Sequence, residues 1–178
     1  MSPVVSTLTD LALRGCTGTN GGAINNGGTL TLTDSTIDGN TASGSGGGIF
    51  NNGDGFFTGS GIVTLTRTTV SNNSADAQGG GIANGGSKSS LTLTNSTVSG
   101  NTATGNIAAG DGGITNVASD ATLILDSCTV TANAAAGTHL AASETSAAVP
   151  RVYATRSLPG IQACSQMCAA PSNHKATI

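Results

Sequence analysis

The amino-acid sequence predicts an all-β protein: a right-handed parallel β-helix of about five coils, followed by a non-repeat C-terminal tail. Three observations predict this fold. A glycine-rich unit recurs along the first 137 residues, its apolar residues alternate with polar ones, and only one of the 27 glycines comes after residue 137. Alternation with period two is typical of strands, and a repeat of variable length is typical of a solenoid with loops.

The first part of the unit that recurs along the chain is a Gly-Gly-x-Ile segment. It occurs at residues 21–24, 46–49 and 79–82, and as Asp-Gly-Gly-Ile at 111–114. An asparagine stands two residues after each isoleucine, at Asn26, Asn51, Asn84 and Asn116.

The second part is the nine-residue segment Leu-Thr-Asp-Ser-Thr-Ile-Asp-Gly-Asn at residues 32–40. It recurs at residues 65–73, 93–101 and 125–133. A less similar copy at residues 8–16 has Cys16 in place of the asparagine. We expect three strands per coil, at Gly-Ile, at Thr-Leu-Thr-Leu-Thr and at Thr-Ile or Thr-Val. The Asn-Gly, Asp-Ser and Asn-Ser pairs between them suit turns.

Stacked coils place equivalent side chains roughly 4.8 Å apart, so the apolar residues form columns. Parallel strands joined by crossovers are right-handed in nearly all proteins. The predicted core contains the repeated isoleucines, the paired leucines and a column of Leu13, Ile37, Val70, Val98 and Val130. A further column of Asn40, Asn73, Asn101 and Asn133 falls at a bend, where stacked amides can satisfy one another.

The repeat resembles that of the polymorphic outer-membrane proteins, which are surface-exposed passengers of autotransporter type. Residues 21–24 match the Gly-Gly-Ala-Ile motif literally, and Ile37-x-x-Asn40 resembles the second motif, with an aliphatic residue in place of Phe. The likeness spans roughly residues 4–137. It implies a β-helix on the outside of a bacterial cell, with adhesion as the usual role.

The chain divides into a repeat domain, residues 1–137, and a tail, residues 138–178. The tail is interpreted either as a cap with a short helix near 160–169 or as a disordered terminus. Its only cysteines, Cys164 and Cys168, share one face of that predicted helix. Cys16 and Cys128 fall on distant coils, too far apart for a disulfide, and are expected to be thiols.

Composition argues against several partners. The repeat domain has eight Asp and only three Lys and Arg, which is too acidic to hold a phosphate backbone, so nucleic acid is not expected. No apolar stretch is long enough to span a membrane, and no signal peptide is recognised. We expect an extracellular or cell-surface location and interpret the chain as a fragment of a longer protein.

No catalytic, cofactor-binding or metal-binding residues are predicted, and the chain is interpreted as a non-enzyme. Stacking places Asp10, Asp34 and Arg67 in one column and Arg14 beside Asp38 in another, a pattern typical of surface ion pairs. Of two alternative functions, the second is that of a polysaccharide lyase or glycoside hydrolase of the pectin-lyase-like fold, in which carboxylates on a β-helix act on a polysaccharide.

The outward threonines form the most regular predicted surface. Two columns are expected, made of Thr7, Thr31, Thr64 and Thr92 and of Thr9, Thr33, Thr66 and Thr94. This grid resembles the Thr-x-Thr faces of β-solenoid ice-binding proteins, which makes ice binding the first alternative function. Phe56 and Phe57, in the longest insert, form a possible exposed anchor for a glycan or protein.

These observations together predict a structural or adhesive β-helix segment. Its expected partners are a surface glycan, a host protein or further β-helix coils of a longer parent chain.

Overall fold

The computed structural model is a right-handed parallel β-helix whose full coil consists of four short strands. The structure describes residues 4–52, 60–105, 111–118 and 120–135, together with the strand residues 148–149 and 152–155. Across these ranges there is no helix, and therefore no helix long and apolar enough to cross a membrane.

The strands form four sheets. Sheets A, B and C take one strand from each of the five coils, and sheet D takes one from each of coils two to five. Sheet A contains β1 (Val5–Thr9), β5 (Thr29–Thr33), β9 (Ile62–Thr66), β13 (Ser90–Thr94) and β17 (Thr122–Asp126). Sheet B contains β2 (Ala12–Arg14), β6 (Thr36–Asp38), β10 (Thr69–Ser71), β14 (Thr97–Ser99) and β18 (Cys128–Thr131). Sheet C contains β3 (Thr17–Gly18), β7 (Thr41–Ala42), β11 (Ser74–Ala75), β15 (Thr102–Ala103) and β19 (Ala134–Ala135). Sheet D contains β4 (Ile24–Asn26), β8 (Ile49–Asn51), β12 (Ile82–Asn84) and β16 (Ile114–Asn116).

Coil one consists of β1 to β3, and coils two to five begin with β4, β8, β12 and β16 respectively. The predicted number of three strands per coil is wrong, because the two-residue strands of sheet C form a fourth side. Their inward residues are Ala42, Ala75, Ala103 and Ala135 or, in coil one, Gly18. Small side chains at these positions let this wall lie close to the core.

The predicted register of the coils is confirmed. Ile82 pairs with Ile49 on one side and with Ile114 on the other. Leu13, Ile37, Val70, Val98 and Val130 likewise form one continuous column in sheet B. Each fully buried side chain of this size contributes about 1.5–3 kcal/mol, so the columns together hold a narrow core.

Two ladders of asparagine amides run inside the helix. The predicted one is confirmed: the Nδ2 groups of Asn40, Asn73 and Asn101 each donate to the Oδ1 of the next asparagine, ending at Asn133, at 2.9 Å. A second ladder joins Asn26, Asn51, Asn84 and Asn116 at 2.7–2.8 Å. Both ladders donate in one direction, from each coil to the next coil along the chain.

The corner between sheets A and B depends on one residue of positive φ in every coil. These residues are Asp10, Asp34, Arg67, Asn95 and Ser127, with φ between 48° and 56°. Asp and Asn adopt positive φ more readily than most residues, and the Asp-Ser and Asn-Ser pairs were predicted to form turns for this reason. Arg67 adopts the same conformation although arginine has no such preference.

Two strands from the tail pair with the fifth coil. β20 (Ala148–Val149) lies antiparallel to β18, and β21 (Val152–Thr155) lies antiparallel to β17. Sheets A and B therefore end in antiparallel strands at this end of the helix. The predicted helix near 160–169 lies outside the described residues.

Candidate functional site

The most regular outer surface is the threonine face, the outward side of sheet A formed by Thr7, Thr9, Thr31, Thr33, Thr64, Thr66, Thr92 and Thr94. Strand register brings all eight predicted residues together as two columns across four coils. Neighbours within a column are separated by the strand spacing of roughly 4.8 Å, and the two columns by roughly 6.6 Å along each strand.

The threonines of this face project outward because the intervening leucines or valines point into the core. Thr64, for example, is half-buried, while its neighbours Val63 and Leu65 are fully buried. No hydroxyl of the threonine face donates or accepts a hydrogen bond within the described part of the chain, whereas the buried hydroxyls of Thr68 and Ser96 are engaged with carbonyl oxygens. The face thus presents eight hydroxyls that bond to no other group in the described ranges, on strands paired in register with their neighbours.

The face ends at the fifth coil and has a mixed border. Thr92 pairs with Ile124 and Thr94 with Asp126, so the hydroxyl pattern stops there. The third outward column of sheet A mixes polar and apolar side chains, because it contains Val5 and Ile62, which are 65% and 40% exposed.

An ion pair lies at the corner beside the face. Arg67 donates from Nε and Nη2 to the two carboxylate oxygens of Asp34, at 2.6 and 2.8 Å. These hydrogen bonds from Arg67 hold the pKa of Asp34 below its usual value. The predicted column is confirmed, and the pair neutralises both charges beside the threonines.

A second group of polar residues surrounds Asp38 on the outward side of sheet B. The Asp38 carboxylate accepts hydrogen bonds of 2.8 Å from Ser71 Oγ and Asn72 Nδ2, and Arg14 lies 4.0 Å away. The pKa of Asp38 is lowered mainly by the hydrogen bond from Asn72, and further by the hydrogen bond from Ser71 and the charge of Arg14. The predicted neighbourhood of Arg14 and Asp38 is confirmed.

Other aspartates also make contacts between coils. Asp76 accepts a hydrogen bond from Thr104 Oγ1 at 3.0 Å, and Asp120 accepts one from Ser87 Oγ at 2.8 Å. Hydrogen bonds from the Lys88 backbone and from Ser87 lower the pKa of Asp120. Along the described chain, no three His, Cys, Asp or Glu residues lie close enough together to hold a metal ion. The hydrogen bonds of Asp76 and Asp120 thus join side chains of adjacent coils.

The two cysteines of the helix are free thiols, as expected. Cys16 is half-buried and Cys128 is fully buried, where burial raises the pKa of its thiol. Cys16 also replaces the first asparagine of its ladder, and its backbone N–H donates to Asn40 Oδ1 at 2.9 Å. Phe56, Phe57, Cys164 and Cys168 lie outside the described residues.

The second asparagine ladder is the polar feature that sequence reasoning missed. The recurring asparagine two residues after each isoleucine was visible, but Asn-Gly is equally typical of a solvent-facing turn. Burial of Asn51 and Asn84 at 0% exposure shows that these side chains point inward.

Comparison with known proteins yields no relative: no family model matches the chain, and neither does any curated protein or solved structure.

Proposed function

We propose that this chain is a non-enzymatic β-helix segment of an extracellular or cell-surface protein, with a structural or adhesive role and with the threonine face as its contact surface. The observation that supports this proposal is the set of eight hydroxyls, held in register and without hydrogen bonds to the described protein atoms. A surface glycan is the partner class that suits them best.

The chemistry of the face favours a hydroxyl-rich, uncharged partner. Threonine hydroxyls both donate and accept hydrogen bonds, as sugar hydroxyls do, and their methyl groups add apolar contact. The face itself carries no charged side chain until Asp126 in the fifth coil. Because the strands are fixed by their neighbours, little conformational entropy is lost when a ligand binds.

Glycan-array and cell-binding assays with the purified chain test the adhesive role. We expect Thr64→Tyr, in the middle of the face, to weaken binding by at least ~10-fold, or ~1.4 kcal/mol, because the larger ring blocks the grid. Thr69→Tyr is the matched control, since Thr69 is a half-buried outward threonine of the same coil on sheet B. Equal losses in the two variants would count against the threonine face, and cleavage of a polysaccharide by the native chain would overturn the non-enzymatic role.

Ice binding is a second candidate that the same regular spacing favours. A periodic, uncharged, rigid array of hydroxyl and methyl groups is suited to ordering water at a crystal surface. Thermal hysteresis of the native chain, compared with the Thr64→Tyr and Thr69→Tyr variants, tests it. A hysteresis that only Thr64→Tyr abolishes would support ice binding, and absence of hysteresis in the native chain would remove it.

A further inference from the structure

The threonine face repeats differently along its two directions. Along the helix axis, a hydroxyl recurs in each of four coils at the strand spacing of roughly 4.8 Å. Along each strand, the two threonine columns are roughly 6.6 Å apart, and the next outward position is apolar in two coils, at Val5 and Ile62. A ligand that repeats one chemical group therefore matches the face only when it runs along the helix axis.

Backbone hydrogen bonds at both ends of the strands hold this spacing. At the start of β9, Ile62 N–H donates to Gly28 O at 2.8 Å, and just after its end Arg67 N–H donates to Thr94 O at 3.0 Å. The strands β5 and β13 have equivalent bonds at both ends. The spacing of the hydroxyls is therefore set before a ligand binds, which lowers the entropy cost of binding.

The charges around the threonine face disfavour an acidic ligand. Arg67 follows the second threonine column directly, but its guanidinium is bonded to both carboxylate oxygens of Asp34. Asp10 is exposed at the corner in coil one, and Asp126 continues the second column in coil five. Placing like charges side by side opposes binding, so aspartates at both ends of the column would repel a polyanion. The face suits an uncharged ligand.

A linear sugar polymer combines an axial repeat with a lack of charge. In an extended chain of pyranose rings with equatorial linkages, each ring advances by close to the strand spacing, so successive rings can lie over successive coils. Alternate rings are turned over, and the two edges of the ring therefore exchange sides at each step. Threonine hydroxyls suit either edge because each of them can both donate and accept hydrogen bonds.

Sheet B shows what the threonine face has in addition to threonine. Its outward side also has a column of threonines, made of Thr36, Thr69, Thr97 and Thr129. The neighbouring column contains the carboxylate of Asp38, which accepts a 2.8 Å hydrogen bond from Ser71 Oγ. A charge and an engaged hydroxyl thus interrupt the second column of sheet B, whereas both columns of the threonine face are uninterrupted through four coils.

We propose that the threonine face binds a linear, uncharged polysaccharide with equatorial linkages, whose chain lies along the helix axis with one pyranose ring on each of coils one to four. This inference rests on the adhesive function proposed above and names the class of its ligand. The two threonine columns bond to the two edges of each ring. The register ends at coil five, where Ile124 and Asp126 replace the threonines.

A length series of cello-oligosaccharides, titrated into the native chain and followed by calorimetry, tests this register. Affinity is expected to rise with each added ring up to the tetraose, which should bind at least ~10-fold more tightly than the biose, and to level off for longer oligomers. Malto-oligosaccharides of the same lengths are the matched control, because they carry the same hydroxyls on a chain that curves. They should bind at least ~10-fold more weakly.

The variant Thr92→Tyr covers coil four alone and should move the length at which affinity levels off from four rings to three. Thr97→Tyr, an outward threonine of the same coil on sheet B, should leave that length at four. The length series itself needs only the native chain, so it decides the inference even if Thr92→Tyr does not fold.

Affinity that is independent of length, or equal affinity for the two oligosaccharide series, would overturn the inference. Binding of only a charged or branched glycan, lost in Thr64→Tyr, would also overturn it but would leave the adhesive function standing. Failure of every glycan to bind would overturn both.

Discussion

The sheet A strands of the first and third coils both place a leucine between two threonines, but they differ in burial. Leu8 in coil one is 40% exposed, whereas Leu65, two coils further along the same column, is completely buried. Among the described strands, those of coil three are paired on both sides, and those of coil one are paired only with coil two. An apolar residue therefore stabilises this fold to the extent that adjacent coils cover it.

The largest loss of stability is expected in the middle of the leucine column of sheet A. Leu65→Ala should lower the free energy of unfolding by about 2–5 kcal/mol, because it leaves a cavity between two packed coils. Leu8→Ala, the matched substitution in coil one, should lower it by about 1 kcal/mol or less. Urea denaturation of the two variants measures the difference, and equal losses would contradict the dependence on neighbouring coils.

The ladder at the sheet B to sheet C corner gives the second largest effect. Asn73→Ala removes the acceptor of Asn40 N–H and Nδ2 and the donor to Ile37 O, and it leaves these groups buried. We expect a loss of about 2–3 kcal/mol in the free energy of unfolding. Asn25→Ala, which changes an exposed asparagine outside the ladder, serves as the control and should change stability by less than about 0.5 kcal/mol.

The smallest effect concerns the surface contacts between coils. Hydrogen bonds from Asn72 and Ser71, together with Arg14, lower the pKa of Asp38 in the folded state, and those from Arg67 lower the pKa of Asp34. A carboxyl whose pKa is depressed by folding stabilises the fold above its unfolded pKa of about 3.9, and this contribution is lost as pH falls through the folded pKa.

The folded chain should therefore lose stability progressively below about pH 4. Asp38→Asn should be less stable than the native chain at neutral pH and should show a shallower loss in acid. The urea concentration at the midpoint of unfolding, measured for both proteins from neutral pH to below pH 4, tests this prediction. A native chain and an Asp38→Asn variant with the same acid slope would show that the Asp38 contacts do not contribute.

Much of the fold could be predicted because a solenoid repeats its own contacts. Ile49, Ile82 and Ile114 recur at equivalent positions, and a periodic sequence can bury such residues only by stacking them. The sheet C strands could not be predicted, since two residues such as Thr41 and Ala42 are too short to show an alternating pattern.

For the candidate site, sequence spacing predicted which threonines share a face but not their hydrogen bonding. Thr66 and Thr68 are alike in sequence terms, yet Thr68 points inward and its Oγ1 donates to Thr66 O. The corner residue Arg67, with its positive φ, reverses the alternation between them, and this conformation is not typical of arginine.

The stacking of the coils can be measured directly at the contact between Ile49 and Ile82. These residues are 33 positions apart in sequence but are paired on adjacent strands of sheet D, roughly 4.8 Å apart in the backbone. The stacked helix predicts strong nuclear Overhauser effects between the methyl groups of Ile49 and Ile82, and between those of Ile82 and Ile114. Absence of both, with contacts from Ile82 to residues of its own coil only, would contradict it.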